Sequence, residues 1–211
     1  MNQVSKIKKL STLSYFDKNT LSQFVDLSDN SLYANINRWL RSDILVSLKK
    51  GLYVTSEFLK SQNNRLFYME FIANKLREPS YLSMEYVLQK NNMLAESVYG
   101  LTSVTLKSKR TYQNKLGVFT YRNIKDELFD GYTLQDKDGF TIKMATKAKA
   151  LFDYFYYKLW KVKEIDTALI KNFRLNYDEW TPADFNEFSQ YCHRVQIKKM
   201  MDLIPIIKKM R

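Results

Sequence analysis

Residues 30–54, NSLYANINRWLRSDILVSLKKGLYV, change their periodicity part-way, and that change decides the fold. In the first part Leu32, Ile36, Trp39 and Leu40 recur at spacings that share one face of a helix, while Ser31, Asn35, Arg38 and Arg41 project from another. Asp29 or Asn30 is expected to cap this helix, because a short side-chain acceptor there meets otherwise unpaired backbone N–H groups; its end is expected near Ser42. DILVSLKKGLYV then reads as a β-hairpin, with Gly51 at positive φ and Lys49 and Lys50 at the tip.

Two shorter helices are predicted upstream. In VSKIKKLSTL, residues 4–13, Val4, Ile7, Leu10 and Leu13 recur every three residues and make one buried stripe with lysines opposite. A second helix over about 18–25 turns Leu21, Phe24 and Val25 inward before DLSDN ends it. Three helices followed by a two-stranded ribbon make a winged helix-turn-helix, assigned to residues 1–60. On such a module Arg38 and Arg41 reach guanine edges or phosphates, Asn35 pairs with adenine, and Ser31 shares their face. Lys49 and Lys50 supply charge to the DNA backbone, where contacts position a protein without specifying sequence. The same polar face also suits a helix that meets only water.

Residues 61–211 are read as a second, α+β domain, with the boundary near 56–64 although no Pro- or Gly-rich linker marks it. A helix over about 63–77 carries Leu66, Phe67, Phe71, Ile72 and Leu76 and ends ahead of Pro79. Ser83 is expected to cap a helix reaching Lys90. The period then becomes alternating: SVTLKS, GVFTYRNI and GFTIKMA predict a small antiparallel sheet with turns such as Asp138-Gly139. TKAKALFDYFYYKLW returns to helix, with Ala148, Leu151, Phe152, Phe155 and Leu159 inward and Tyr156 or Tyr157 at the rim. Helices are predicted over about 163–171, from the Thr181-Pro182 start signal, and at the end of the chain with an interruption near Pro205.

Among 211 residues, 34 Lys and Arg stand against 22 Asp and Glu, a net charge of +12 that favours polyanionic partners and also plain solubility. The excess is spread along the chain, so a local cluster carries more information than the total. One cysteine, Cys192, excludes a disulfide framework and suits a reducing compartment; with no signal-peptide pattern, the expectation is cytoplasmic. No apolar run approaches the roughly 18–20 residues that cross a bilayer, so no membrane association is expected.

Enzymatic chemistry finds little support. Cys192 and His193 are adjacent and lack a second Cys or His to complete a metal site. Asp126, Glu127, Asp130, Asp136 and Asp138 lie in or beside turns, where such residues form turns and carry solvated charge. The five glycines build no phosphate loop of either common pattern. No cofactor, metal or catalytic activity is therefore expected. A late basic face of Arg194, Lys198, Lys199, Lys208 and Lys209 suits nucleic acid, an acidic protein surface or solvent alike.

An ordered set of motifs adds a resemblance. KKGLYV closing the N-terminal module, then PSYLSMEYVLQKNNMLAESV, SVTLKSKR, GVFTYRNIKDELFDGY and IKMATKAKALFDYFYY, together resemble the AbiEi antitoxin family of transcriptional regulators over roughly residues 30–160, with a weaker echo in NFRLNYDEW. The resemblance implies a type IV antitoxin encoded beside an AbiEii nucleotidyltransferase toxin and linked to phage abortive infection. It implies a winged helix that binds repeated operator sites to repress its own operon, and a C-terminal part that counters the toxin without a stable complex. Two departures stand out. Lys147-Ala148-Lys149-Ala150 replaces a Pro-Glu-Lys-Ala type helix start, which puts an acidic contact there in doubt, and Asn92 replaces a common glycine, a position where Asn tolerates the same left-handed geometry.

One helix reads too few base pairs for genomic specificity, so autorepression calls for two copies, supplied either by a stable dimer or by cooperating monomers. The alternative is an interaction module in which the winged helix is a scaffold for protein or RNA, without catalysis.

Overall fold

The computed structural model describes residues 3–25, 27–96 and 99–210. They divide into two units, Met1–Met69 with Tyr112–Gly117 and Glu70–Thr111 with Val118–Arg211, so the first continues past the expected boundary and takes in a short later segment.

The first unit contains α1 (Gln3–Lys8), a 3-10 turn (Lys9–Thr12), β1 (Phe16–Asp17), α2 (Lys18–Phe24), α3 (Asp29–Arg41), β2 (Leu45–Lys49), β3 (Leu52–Thr55), α4 (Ser56–Ser61) and the start of α5 (Arg65–Leu76). The single helix expected over 4–13 is thus split. Its apolar residues repeat every three positions, the period of a 3-10 helix, and Leu10 is buried there. Beyond α2 the backbone is already extended at Val25, which is buried, while Phe24 is 37% exposed instead of facing inward. Asp17 starts α2 by accepting the Thr20 N–H at 2.7 Å.

Ser28, and neither Asp29 nor Asn30, is the N-cap of α3; Asp29 sits in the first turn, where the helix dipole favours an acid. Ile7, Leu10, Leu21, Val25, Leu32, Ile36, Trp39 and Leu45 close the core beneath it. The hairpin is joined by a third strand. β1 pairs antiparallel with β3 through Phe16↔Tyr53 and Asp17↔Leu52, giving the order β1-β3-β2. Two residues are too few to show a period, which is why β1 was not legible as a strand.

The second unit holds β4 (Ser80–Leu82), α6 (Glu85–Lys90), β5 (Leu101–Thr105), β6 (Arg110–Asn114), β7 (Gly117–Asn123), a 3-10 turn (Asp126–Leu128), β8 (Tyr132–Lys137), β9 (Phe140–Ala145), α7 (Lys147–Lys158), α8 (Thr167–Lys171), α9 (Pro182–Val195) and α10 (Lys198–Met210), and shares α5, β6 and β7 with the first. The sheet order is β6-β7-β5-β4-β9-β8. β4–β5 and β8–β9 are antiparallel, whereas β4–β9 and β5–β7 run parallel. β4 is buried on both faces and so shows no alternation, whereas β6 and β8 are mostly polar; neither pattern announces a strand.

Three helices differ from expectation. Met84 at φ 57 occupies the N-cap of α6, and Ser83 turns into the core. α8 begins only at Thr167, where Asp166 accepts the Leu169 N–H. α10 runs on through Pro205 without interruption. α9 starts at Pro182 as predicted, with a capping box between Thr181 and Asp184. Asn92 takes its left-handed φ of 55°.

All five expected inward residues of α7 are buried, and so, completely, are Lys149 and Asp153. Lys149 Nζ donates to Asp153 Oδ1 at 2.7 Å and to the Leu128 carbonyl at 2.8 Å. Asp153 Oδ2 accepts from Tyr81 Oη at 3.0 Å and Ser83 Oγ at 2.7 Å. Burial pushes the Asp153 carboxyl up, with Lys149 pulling the other way. Gly131 lies against this pair at φ 71; a Cβ there would collide with the Tyr191 hydroxyl and Lys149 Cγ.

Candidate nucleic-acid interface

Burial of Leu32, Ile36 and Trp39 fixes which side of α3 is left to solvent. Ser31, Tyr33, Ala34, Asn37, Arg38 and Arg41 are exposed, and Asn35 is only partly so. With 3.6 residues per turn, Ala34, Asn37, Arg38 and Arg41 form the middle of the exposed strip, Tyr33 one flank, and Ser31 with Asn35 the other. The proposed reading residues are therefore brought together, though off-centre. Asn37 and Ala34 join the face because the spacing of Ser31, Asn35 and Arg38 marks only one edge of it. Ala34 is too small to keep a neighbouring surface away.

The polar side chains on the flank are already connected. Asn35 Nδ2 donates to the Ser31 carbonyl at 2.8 Å, and Asn35 Oδ1 accepts from Arg38 Nη2. Both halves of the Asn35 amide are thus engaged, so in this arrangement it orients the Arg38 guanidinium instead of offering its own edge to a base. Arg38 and Arg41 are themselves exposed. On the Tyr33 flank Lys18 lies 4.2 Å from the centroid of the Tyr33 ring and pairs with Asp29 at 2.9 Å, which raises its pKa.

The two hairpin lysines are not equivalent. Lys50 is exposed in the turn with Gly51, whose φ is 78°. Lys49 is still in β2, opposite Leu52 and half-buried, just past a register shift at which Ser47 Oγ donates to the Lys49 carbonyl at 3.2 Å. β2 is an edge strand of its sheet, and Asn114 Nδ2, in the 112–117 segment of the same unit, donates to the Leu48 carbonyl at 2.8 Å. Lys115 in that segment pairs with Asp43, and Arg65 donates to the Lys115 carbonyl at 3.1 Å. The hairpin is therefore braced and not a free ribbon.

The other candidates do not form sites. Cys192 is buried and its thiol is pushed up by that burial, while His193 is exposed with Nδ1 2.7 Å from the Ser189 carbonyl. Of the late basic face, Arg194 pairs with Asp130 and Lys198 with Asp202. Lys199 donates to the carbonyls of Leu159, Trp160 and Val162 at 2.6, 3.1 and 3.0 Å. At the start of α7, acidic contacts come from α9: Thr146 donates to Glu187 at 2.6 Å, and Lys147 pairs with Asp184 at 3.1 Å.

No protein-family model matches the chain, and no curated protein matches it either. Among the described residues no helix is long and apolar enough to cross a membrane.

Proposed function

We propose that the chain is a DNA-binding autorepressor whose first unit acts as a winged helix-turn-helix and whose second unit acts as an antitoxin of the type IV kind. The observation that carries the DNA-binding half is the exposed strip of α3, with Arg38 and Arg41 outward, beside the braced Lys49-Lys50-Gly51 hairpin. α3 would enter the major groove, with Arg38, Arg41 and Asn37 at base edges or phosphates and Asn35 and Ser31 holding Arg38 in register. Lys50, and Lys49 behind it, would meet the flanking backbone. The antitoxin half, countering a nucleotidyltransferase toxin in phage defence, rests on the ordered AbiEi-like motifs alone.

The test is a titration against the upstream DNA of its own gene and a scrambled duplex at two salt concentrations, with Arg38→Ala alongside. Preference for the upstream fragment, reduced at least about tenfold by Arg38→Ala, is the expected result. Equal, steeply salt-dependent affinity for both duplexes would reduce the chain to a basic protein meeting a polyanion and overturn the repressor reading.

A further inference from the structure

The second unit contains two adjoining clefts of about 700 and 690 Å³ that share Lys109, Arg122, Tyr157 and Trp160 as a common wall. Each lies within the ~300–1,000 Å³ range of ordinary ligand sites. We propose that this double cleft binds a short run of single-stranded nucleic acid, stacking a base on Trp160 and holding the neighbouring phosphates on Lys109, Arg122 and Lys161.

Three observations point there. Trp160 is 64% exposed at the end of α7, where a large apolar ring has no packing reason to face water. It is nonetheless held in place: Lys199 donates to the carbonyls of Leu159, Trp160 and Val162, and the ring packs beside Tyr156 at a centroid distance of 6.1 Å. A base stacking on it would lose little to ordering. Lys199 also offsets the negative end of α7, which would otherwise repel a phosphate.

The charge is one-sided. Among the lining residues the only carboxylate is Glu85, and Lys158 pairs with it at 3.1 Å. Among the described residues no carboxylate pairs with Lys109, Arg122 or Lys161, in contrast to Arg194 and Lys198 of the late basic face. Cations around the exposed Trp160 ring suit a strand whose bases are unpaired, because a duplex keeps the π-faces of its bases stacked inside. Two connected compartments suit more than one nucleotide.

The experiment uses the full chain, with fluorescein-labelled oligouridine and oligothymidine of about ten nucleotides, a duplex of the same length, uridine monophosphate and a polyglutamate peptide as probes. Both single strands are expected to bind more tightly than the mononucleotide or the peptide. Trp160→Ala is expected to weaken them about tenfold and Trp160→Phe much less, while Arg122→Gln flattens the salt dependence. Arg38→Ala should leave single-strand binding unchanged, which separates this site from α3. Single-strand affinity unaltered by both Trp160→Ala and Arg122→Gln would overturn the proposal, as would polyglutamate or the mononucleotide binding as tightly as the strands. A preference between uridine and thymidine strands would assign the site to RNA or DNA within the proposal.

Discussion

α3 and α7 are helices of similar length that both carry basic residues, yet α3 leaves Arg38 and Arg41 exposed while α7 buries Lys149, one of its three lysines. On α3, Arg38 and Arg41 stay in solvent because only one side of the helix meets a core. On α7, Lys149 disappears together with Asp153, because this helix is packed around most of its circumference: α9 covers one side, and Tyr81, Ser83 and Leu128 reach the pair from elsewhere. A charge is placed by how many sides of its helix are covered, not by its own preference. The consequence for function is direct, since the exposed charges are available to a partner and the buried ones are available only to the fold.

The comparison breaks most forcefully at the buried pair. Asp153→Ala leaves Lys149 charged and unpaired in the core and is expected to cost about 3–5 kcal/mol by urea unfolding. The double change Lys149→Met with Asp153→Leu should recover most of that, because it removes both desolvation penalties at once. If the double variant were as unstable as the single one, packing and not charge would be what the pair supplies.

On α3 the prediction concerns affinity and not stability. Asn37→Ala is expected to weaken binding to the proposed operator by about tenfold, whereas Asn35→Ala should do so less and relax the setting of Arg38. The reverse order would mean that Asn35 swings out of its contacts with Ser31 and Arg38 to read a base.

A smaller effect belongs to the hairpin. Replacing Lys50 by Gln should lower affinity for all duplexes alike and reduce the log–log salt slope by about 0.9, with Lys49→Gln giving less because that residue is half-buried. An unchanged slope for Lys50→Gln would remove the hairpin from the interface.

Smallest is the cap of α2. Asp17→Ala is expected to cost about 1 kcal/mol at neutral pH. The Thr20 N–H holds the Asp17 carboxyl below its usual value of 3.8, so the folded pKa lies under the unfolded one. The stabilisation is therefore present above the unfolded value and lost as pH falls through the folded one. Wild type and variant should begin to converge in stability as pH falls below the unfolded value of 3.8 and meet only below the folded one.

The sequence alone determined the elements whose side chains repeat with a clear period: α3 from Leu32, Ile36 and Trp39, the Lys-Lys-Gly hairpin from Gly51, the start of α9 from Thr181-Pro182, and the inner stripe of α7. These are local, because periodicity and caps act within one or two turns. It also brought Ser31, Asn35, Arg38 and Arg41 to one helix. Only the tertiary structure decided that Asn35 serves Arg38 and that Asn114 covers the edge of β2. The strands β1, β4, β6 and β8, the burial of Lys149 and Asp153, and the meeting of Lys109, Arg122 and Trp160 likewise depend on partners far away in the chain. No spacing records those partners, since each contact exists only after distant segments have packed.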